Sequence, residues 1–251
     1  MTSFLRSVIP DWIRRRLVPR GVAGLRCRPP VGWVRFGGLR RLEPVSRNWG
    51  EERGRPLDRY YINRFLENHA ADVRGRVLEV GDNVYTRRIG GANVTQSDIL
   101  HVTEGDPDAT IIADLAHAPH IPDALFDCII LTQTLQLIYD VRAAVQTTHR
   151  LLKPGGVVLA TVPGITHICH QDSDTWGEQW CWSFTALSMR KLFQESFGPS
   201  QVHVEAHGNV LTSVGFLLGL AVEDLAPHEL DADDRDYQLN IAVRAQKSVS
   251  A

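Results

Sequence analysis

The hydrophobic pattern changes its period several times along the chain, and each change predicts a new secondary-structure element. From Leu57 to His69 the apolar residues recur at helical spacing, and Pro56 suits the first turn of that helix. Further helices are predicted at residues 83–90, 141–152, 185–197 and 211–221. Short apolar runs predict strands at residues 75–81, 94–98, 109–115, 126–132, 157–162, 202–205 and 237–244.

Strands that alternate with helices predict an α/β fold. We expect a doubly wound, mostly parallel, seven-stranded Rossmann-like sheet with an N-terminal arm. The run at residues 126–132 is apolar enough to be buried on both faces of such a sheet. An open parallel sheet binds ligands at the carboxyl ends of its strands, near the point where the strand order reverses. The residues that directly follow the strands are therefore the candidates for chemistry.

Charge divides the chain into two parts. The first 55 residues hold 13 arginines and four acidic residues, a net charge of +9, which leaves −11 for the rest of a chain whose total is −2. We predict a basic N-terminal arm over residues 1–55 and a single domain over residues 56–251. Such an arm can dock on its own acidic domain, on a protein partner or on a peripheral membrane surface. The near-neutral total predicts no nucleic-acid partner.

The cysteines favour a reducing compartment. They stand at positions 27, 128, 169 and 181, form no CxxC pair, and are too few for a disulfide scaffold. No stretch reaches the roughly 18 consecutive apolar residues of a membrane span. The N-terminal region has arginines but no apolar run followed by a small-residue cleavage site. These features together predict a cytoplasmic protein.

Five short motifs follow one another along the predicted strands. They are Val77-Leu-Glu-Val-Gly81, Asp98, Ala113-Asp-Leu115, Leu125-Phe-Asp127 and Arg150-Leu-Leu-Lys-Pro-Gly-Gly156. In this order they resemble the signature of class I S-adenosylmethionine (SAM)-dependent methyltransferases, and most of all the broad group called methyltransferase type 11. The resemblance covers residues 75–163, and residues 182–185 are similar to a later segment of that group. It implies an enzyme whose cofactor is S-adenosyl-L-methionine.

The resemblance also implies roles for residues at the strand ends. Asp98 follows Glu79 by 19 residues, near the spacing at which a carboxylate reaches ribose hydroxyls. Asp114 is expected to accept a hydrogen bond from the adenine amino group, and Leu115 to supply either an apolar wall or a backbone N–H. Glu79 either orders the following loop or faces the cationic methionine end of SAM. The remaining candidates for the cofactor site are Gly81, Asp82, Tyr85, Thr86, Thr132 and Gln133.

Each acidic residue also has a purely structural interpretation. Glu79 fits a buried carboxylate that accepts from backbone N–H groups, and Asp98 fits a solvated loop acid. Asp114 fits the N-cap of a helix. These alternatives stay open from the sequence alone.

The first turn departs from the family pattern. The family usually has several glycines here, whereas this turn reads Gly81-Asp-Asn-Val-Tyr-Thr86, with one glycine. Gly81 allows close backbone approach to a ligand, Asn83 is able to adopt a left-handed conformation, and Asp82 is able to bind the ammonium group of SAM. A pyrophosphate cofactor fits this turn poorly, because its phosphates need several free backbone N–H groups and no acid.

The acceptor side is predicted from the polar segment that follows the fifth strand. His167 lies nearest the strand end and is the candidate general base, and Asp172 is the second catalytic candidate. His167, His170 and Asp172 also resemble a metal triad, but no helical frame supports that pattern and we predict no metal.

Aromatic residues are the candidates for contact with the acceptor. Trp176 and Trp180 either stack on a sugar or planar ring or pack as a lid. Tyr60 and Tyr61 either close over the site or plug the edge of the sheet. The stretch at residues 56–61 is similar to bacterial methyltransferases associated with sugar or glycan modification, which implies a glycan-type or small-molecule acceptor.

Three functions are consistent with these patterns. The first is a SAM-dependent methyltransferase that acts on oxygen. The second is a non-catalytic partner that keeps the methyltransferase fold within a glycosyl-transfer or biosynthetic complex, and the thinned glycine turn motivates it. The third is a nucleotide-dependent oxidoreductase.

Overall fold

The computed structural model describes residues 29–35, 37–168 and 180–249. The chain divides into two compact units, Met1–Arg41 and Leu42–Ala251. In the described part of the first unit, Gly37–Leu39 form a single 3-10 turn with no buried residue. The proposed limits of the arm and the domain stay predictions.

The second unit is built on a seven-stranded sheet. In chain order its strands are β1 Gly75–Val80, β2 Val94–His101, β3 Ile111–Ile112, β4 Phe126–Thr132, β5 Leu152–Pro163, β6 Val202–His207 and β7 Asn240–Gln246. Their spatial order is β3-β2-β1-β4-β5-β7-β6. Pairing is parallel from β3 to β5, and β7 runs antiparallel to both of its neighbours. The predicted α/β, mostly parallel, doubly wound sheet is confirmed.

The helices cover the sheet. They are α1 Leu57–Asn68, α2 Val141–Leu151, α3 Ala186–Phe197, α4 Val210–Leu218 and the short α5 Pro227–Leu230. Side chains cap three of them: Asp140 accepts from the Ala143 N–H to begin α2, Thr185 accepts from the Ser188 N–H to begin α3, and Asn209 accepts from the Leu211 and Thr212 N–H groups to begin α4. In the segment predicted as a short helix at residues 83–90, Thr86–Gly90 form one π-helical turn.

Several predicted strand boundaries were wrong; β6 spans Val202–His207 where residues 202–205 were predicted, and β7 spans Asn240–Gln246 where residues 237–244 were predicted. β2 continues past Asp98 to His101, because Leu78 to Val80 of β1 pair with residues 98–100. β3 has two residues where seven were predicted. β5 begins at Leu152, so the predicted turn at residues 154–156 lies inside the strand, where Gly155 has a φ of 81°.

Both faces of the central strands are buried. Leu78 and Ile129 join the cluster that contains α2 and α3, whereas Val77 and Ile130 pack with α1 on the opposite face. All four side chains have no exposed area, so the prediction that the fourth strand is buried on both faces is confirmed. Among the described residues, no helix has the length and apolar content needed to cross a membrane.

Strand order reverses between β1 and β4, which lie side by side in the sheet. β1 leads outward to β2 and β3, and β4 leads the other way to β5. Such a reversal leaves a crevice at the carboxyl ends of the two strands, where the following loops diverge.

Candidate functional site

A cavity of about 900 Å³ opens at the carboxyl ends of the first four strands. Among the described residues, its lining includes four carboxylates, one histidine and no lysine or arginine. Apolar side chains form the rest of its wall, among them Leu100, Leu115 and Ile138. The acidic lining residues are Glu104, Asp106, Asp114 and Asp140. The cavity therefore combines an apolar wall with a negative rim.

Glu79 orders the loop that follows β1. Its carboxylate accepts from the backbone N–H groups of Tyr85 and Thr86, at 3.2 and 2.8 Å, and from the Thr86 hydroxyl at 2.7 Å. The side chain is 1% exposed. Burial raises the pKa of Glu79 to about 7, although the bonds from Thr86 and Tyr85 oppose that rise. Two roles were predicted for Glu79, and these contacts support the first, in which its carboxylate orders the loop after β1.

The turn after β1 depends on Gly81 for its backbone conformation. Gly81 has a φ of 91°, and a Cβ added there would meet no atom within 4 Å. The left-handed conformation predicted for Asn83 was wrong: Asn83 has no positive φ, is 9% exposed, and donates to the Ser97 hydroxyl. Asp82 accepts from the Val84 N–H at 2.9 Å, so its carboxylate stabilises the turn itself.

Asp98 does not lie at the end of its strand. It pairs with Leu78 in the middle of the β1–β2 ladder and is 4% exposed. Its two carboxylate oxygens accept from the Arg76 guanidinium at 2.7 and 3.2 Å. Asp98 is absent from the cavity lining. Asp98 therefore lies three residues before the end of β2, and its predicted position at the ligand-binding edge of the sheet was wrong.

Other acids stand where Asp98 was expected. Glu104 and Asp106 follow the true end of β2 and line the cavity. Sequence reasoning missed them because the strand was ended too early; the apolar run Ile99-Leu-His-Val102 was the available signal. Asp114 and Leu115 also line the cavity, as their predicted role requires. Asp114 accepts from the Ala116 N–H with one oxygen, which leaves the other without a bond in the described contacts.

The residues at the end of β4 divide between the sheet and the cavity. Thr132 pairs with Thr161 of β5, and Gln133 donates to the Asn240 side chain at 3.3 Å. Gln133 has a φ of 49°, which is strained for a residue with a Cβ. Thr134, which was not predicted, lines the cavity in place of these two residues.

The tyrosines predicted to contact the acceptor pack elsewhere. Tyr61 has no exposed area, and its hydroxyl donates to the Leu230 carbonyl at 3.0 Å. The Tyr60 hydroxyl donates to Asp231 at 2.7 Å. Neither lines the cavity. These contacts support the other role predicted for the two tyrosines, in which they pack at the edge of the sheet.

Tyr85 and Thr86 belong to the same loop and have different surroundings. Thr86 is buried under Glu79, whereas the Tyr85 hydroxyl accepts from Arg59 of α1 at 3.3 Å. Neither residue contributes to the cavity lining.

His167 and Trp180 are brought together by Trp49. The Trp49 ring stacks on His167 with centroids 4.7 Å apart, and on Trp180 with centroids 6.3 Å apart. Trp49 has a φ of 51°, which is rare for so bulky a residue and is often found at functional sites. Within the described residues, Nε2 of His167 and Nε1 of Trp180 are buried without a hydrogen-bond partner. Asp172, Trp176 and His170 lie outside the described residues.

Comparison with known proteins identifies a family. Residues 50–197 match the family model described as "Methyltransferase domain". No curated protein is significantly similar to this sequence.

Solved structures give two examples of a similar fold. One is an S-adenosylmethionine-dependent methyltransferase from Mesorhizobium loti, 16% identical, covering 76% of this chain and 98% of that chain with a TM-score of 0.49. The other is phosphoethanolamine N-methyltransferase 2 from Haemonchus contortus in complex with S-adenosyl-L-methionine, 14% identical, covering 75% of this chain and 52% of that chain with a TM-score of 0.48. Assignment to a family therefore depends on the sequence match over residues 50–197.

Proposed function

Because this chain belongs to the methyltransferase domain family, as a class I SAM-dependent member, we propose that it methylates a hydroxyl oxygen of a small-molecule or glycan-type acceptor. The observation that carries this proposal is the cavity at the ends of β1 to β4. Among described residues it has four carboxylates and no lysine or arginine. SAM carries a sulfonium and an ammonium group and has no phosphate, so a negative rim favours it.

The lining residues fit the parts of SAM. Asp114 has a free carboxylate oxygen for the adenine amino group, and Leu115, 2% exposed, supplies an apolar surface beside it. Glu104 offers two carboxylate oxygens, the number that vicinal ribose hydroxyls require, and Asp106, whose Oδ1 accepts from the Asp108 N–H, lines the cavity with it. The open space over Gly81 admits the chain of the ligand close to the backbone.

The same lining disfavours a nucleotide-dependent oxidoreductase. A dinucleotide pyrophosphate brings negative charge, and the four carboxylates would repel it without a compensating lysine or arginine in the described wall. The single-glycine turn also lacks the row of free N–H groups that a pyrophosphate needs.

His167 supports the choice of oxygen as the acceptor atom. Its Nδ1 lies 3.3 Å from the Ile168 carbonyl, which can only accept, so the proton of the neutral ring is on Nδ1. Nε2, which is buried without a hydrogen-bond partner among the described residues, then has a lone pair that can take the proton of a hydroxyl once an acceptor binds beside it. Bound SAM supplies the electrophilic methyl group on sulfur. The stacked rings of Trp49 and Trp180 hold the imidazole plane and offer aromatic surface for an acceptor ring.

Calorimetric titration with S-adenosylhomocysteine (SAH) tests the cofactor assignment, with NAD as the competing ligand. We expect saturable binding of SAH and none of NAD. Absence of SAH binding at millimolar ligand would refute the proposal, and binding of NAD alone would favour the oxidoreductase.

A non-catalytic partner with the same fold is the second candidate. The observation in its favour is the turn at residues 81–86, where Asp82 and Glu79 are engaged in holding the loop. Incubation with methyl-labelled SAM and a cell extract separates the two candidates. A labelled product that depends on the protein excludes the non-catalytic role, whereas SAH binding without any labelled product would support it.

A further inference from the structure

We propose that His101 is a positioning residue of the cofactor site, which fixes the single-glycine turn to the acidic loop after β2. This inference rests on the proposed function, because it concerns the binding of SAM in the same cavity. His101 is the last residue of β2 and lines the cavity. Its side chain is 17% exposed, so it is largely held by protein contacts.

One ring nitrogen of His101 faces two acceptors. Nε2 lies 2.6 Å from the Gly81 carbonyl oxygen and 3.4 Å from Oδ2 of Asp106. A carbonyl oxygen can only accept, so Nε2 carries a proton and donates to Gly81. Asp106 lies close enough to the same nitrogen for an electrostatic contact.

Gly81 is thereby held to β2 at both of its peptide groups. Its N–H donates to the Leu100 carbonyl at 3.1 Å, and its carbonyl accepts from the ring of the next residue, His101. The far end of the turn is held by Glu79, which accepts from the N–H groups of Tyr85 and Thr86. The family's extra glycines would allow a tight backbone turn after β1. In this chain, side chains from β1 and β2 hold the turn in place instead.

The contact with Asp106 also allows His101 to order the acidic loop after β2. Asp106 is exposed and follows a glycine, Gly105, whose φ is 126°. Ordering such a loop on ligand binding costs conformational entropy, and a preformed contact lowers that cost. The ring of His101 is the described side chain that contacts both the turn and this acid. Loss of its N–H should therefore weaken cofactor binding through the turn and the acidic loop that it connects.

Substitution of His101 tests the proposal in the full chain by calorimetric titration with SAH. His101→Ala should raise the Kd by about tenfold, the effect of one lost hydrogen bond. His101→Gln keeps an N–H near the position of Nε2 and should restore most of the affinity. His120→Ala is the matched control, because His120 also bonds a carbonyl, that of Ile112 at 3.1 Å, but does not line the cavity.

Each outcome has a distinct meaning. If wild-type protein binds SAH and His101→Ala binds it equally well, the proposal is wrong. If the Ala and Gln variants are equally weak and both have lowered melting temperatures, His101 is only structural and the proposal is again wrong. If wild-type protein does not bind SAH, the proposed function itself fails.

Ring ¹⁵N spectra of the wild-type protein show which nitrogen of His101 carries the proton. This measurement needs neither a ligand nor a folded variant. We expect the proton of His101 on Nε2, because Gly81 accepts from it. A neutral ring protonated only on Nδ1 would overturn the proposed contact.

Discussion

Nε of Arg76 lies 2.7 Å from Oδ2 of Asp98 across two adjacent parallel strands, in which Arg76 pairs with Gln96 and Asp98 pairs with Leu78. The carboxylate side chain is 6% exposed and that of the arginine 27%. A second bond, from Nη2 of Arg76 to Oδ1, makes the pair bidentate. Asp98 is thus paired with a cation inside the sheet, three residues before the strand ends.

We expect Asp98→Ala to lower the free energy of unfolding by about 3 kcal/mol, since it leaves the Arg76 charge half-buried without its partner. The Kd for SAH should change less than twofold. Urea denaturation and calorimetry measure the two effects. A large loss of SAH affinity with unchanged stability would instead return Asp98 to the cofactor site.

Glu79 should make stability depend on pH. Burial raises the pKa of its carboxyl from 4.5 to about 7, so between these values the folded state binds a proton that the unfolded state has released. The free energy of unfolding should therefore fall as pH rises from 4.5 to 7, and then level off. The upper bound is about 3 kcal/mol, from about 1.4 kcal/mol per pKa unit.

The difference in unfolding free energy between wild-type protein and Glu79→Gln isolates this effect, because other titrating groups are common to both. Parallel curves for the two proteins across this pH range would show that Glu79 does not titrate there.

Gly81→Ala should separate backbone strain from ligand contact. Gly81 and Gly198 have φ values of 91° and 82°, and an added Cβ meets no atom within 4 Å at either position. Each alanine should therefore cost about 1–3 kcal/mol of stability. Only Gly81→Ala should also weaken SAH, since Gly81 directly follows Val80 of the cavity lining, whereas Gly198 ends α3 and neither of its chain neighbours lines the cavity. Equal SAH affinities for the two variants would contradict the predicted approach of ligand to Gly81.

Asp114→Ala should weaken SAH by about 1–3 kcal/mol, as the loss of a hydrogen-bond partner in a largely apolar cavity does. Asp108→Ala removes the same charge from a nearby exposed residue that does not line the cavity, and should have little effect. S-inosylhomocysteine, which lacks the adenine amino group, should bind wild-type and Asp114→Ala proteins with similar affinity. A persistent difference would place the contact of Asp114 elsewhere on the ligand.

His167→Gln should reduce methyl transfer by about 10²–10⁴-fold, because the lone pair on Nε2 is lost as a base. SAH affinity should be unchanged, since His167 does not line the cofactor cavity. Incorporation of label from methyl-labelled SAM measures the rate. His203→Gln is the control, as His203 is exposed on β6. Full activity in the His167 variant would exclude it as the base.

The apolar pattern predicted strands well where both faces of the strand are buried. β4 was predicted from residue 126 to residue 132 and has those limits, because Ile129 and Ile130 are both fully buried on opposite faces. A strand of this kind is visible in the sequence as an unbroken apolar run. The α2 and α3 helices began where Asp140 and Thr185 signal a cap.

Cross-strand partners were not visible in the same way. The acid at position 98 follows the polar residues 95–97, a pattern that predicted the end of the strand, but Arg76 of the neighbouring strand forms an ion pair with it and the strand continues. Helical spacing likewise placed Tyr60 and Tyr61 on α1. It did not indicate that Asp231 and the Leu230 carbonyl would accept hydrogen bonds from their hydroxyls. Trp49 was missed because it lies in the segment assigned to the basic arm, 118 residues before His167 in the sequence.

The position of β7 determines the order in which the sheet can be completed. β7 is the last strand in the chain, yet it lies between β5 and β6 and pairs with both. During synthesis, β1 to β5 can pair with one another as soon as Pro163 has left the ribosome. β6 has no neighbour to join until residues 240–246 follow, so its contacts across the sheet are non-local and late to form. The half of the molecule that holds the cavity is therefore free to assemble first, and an arrested chain that ends before β7 should expose the edge of β5 to other proteins in the cell.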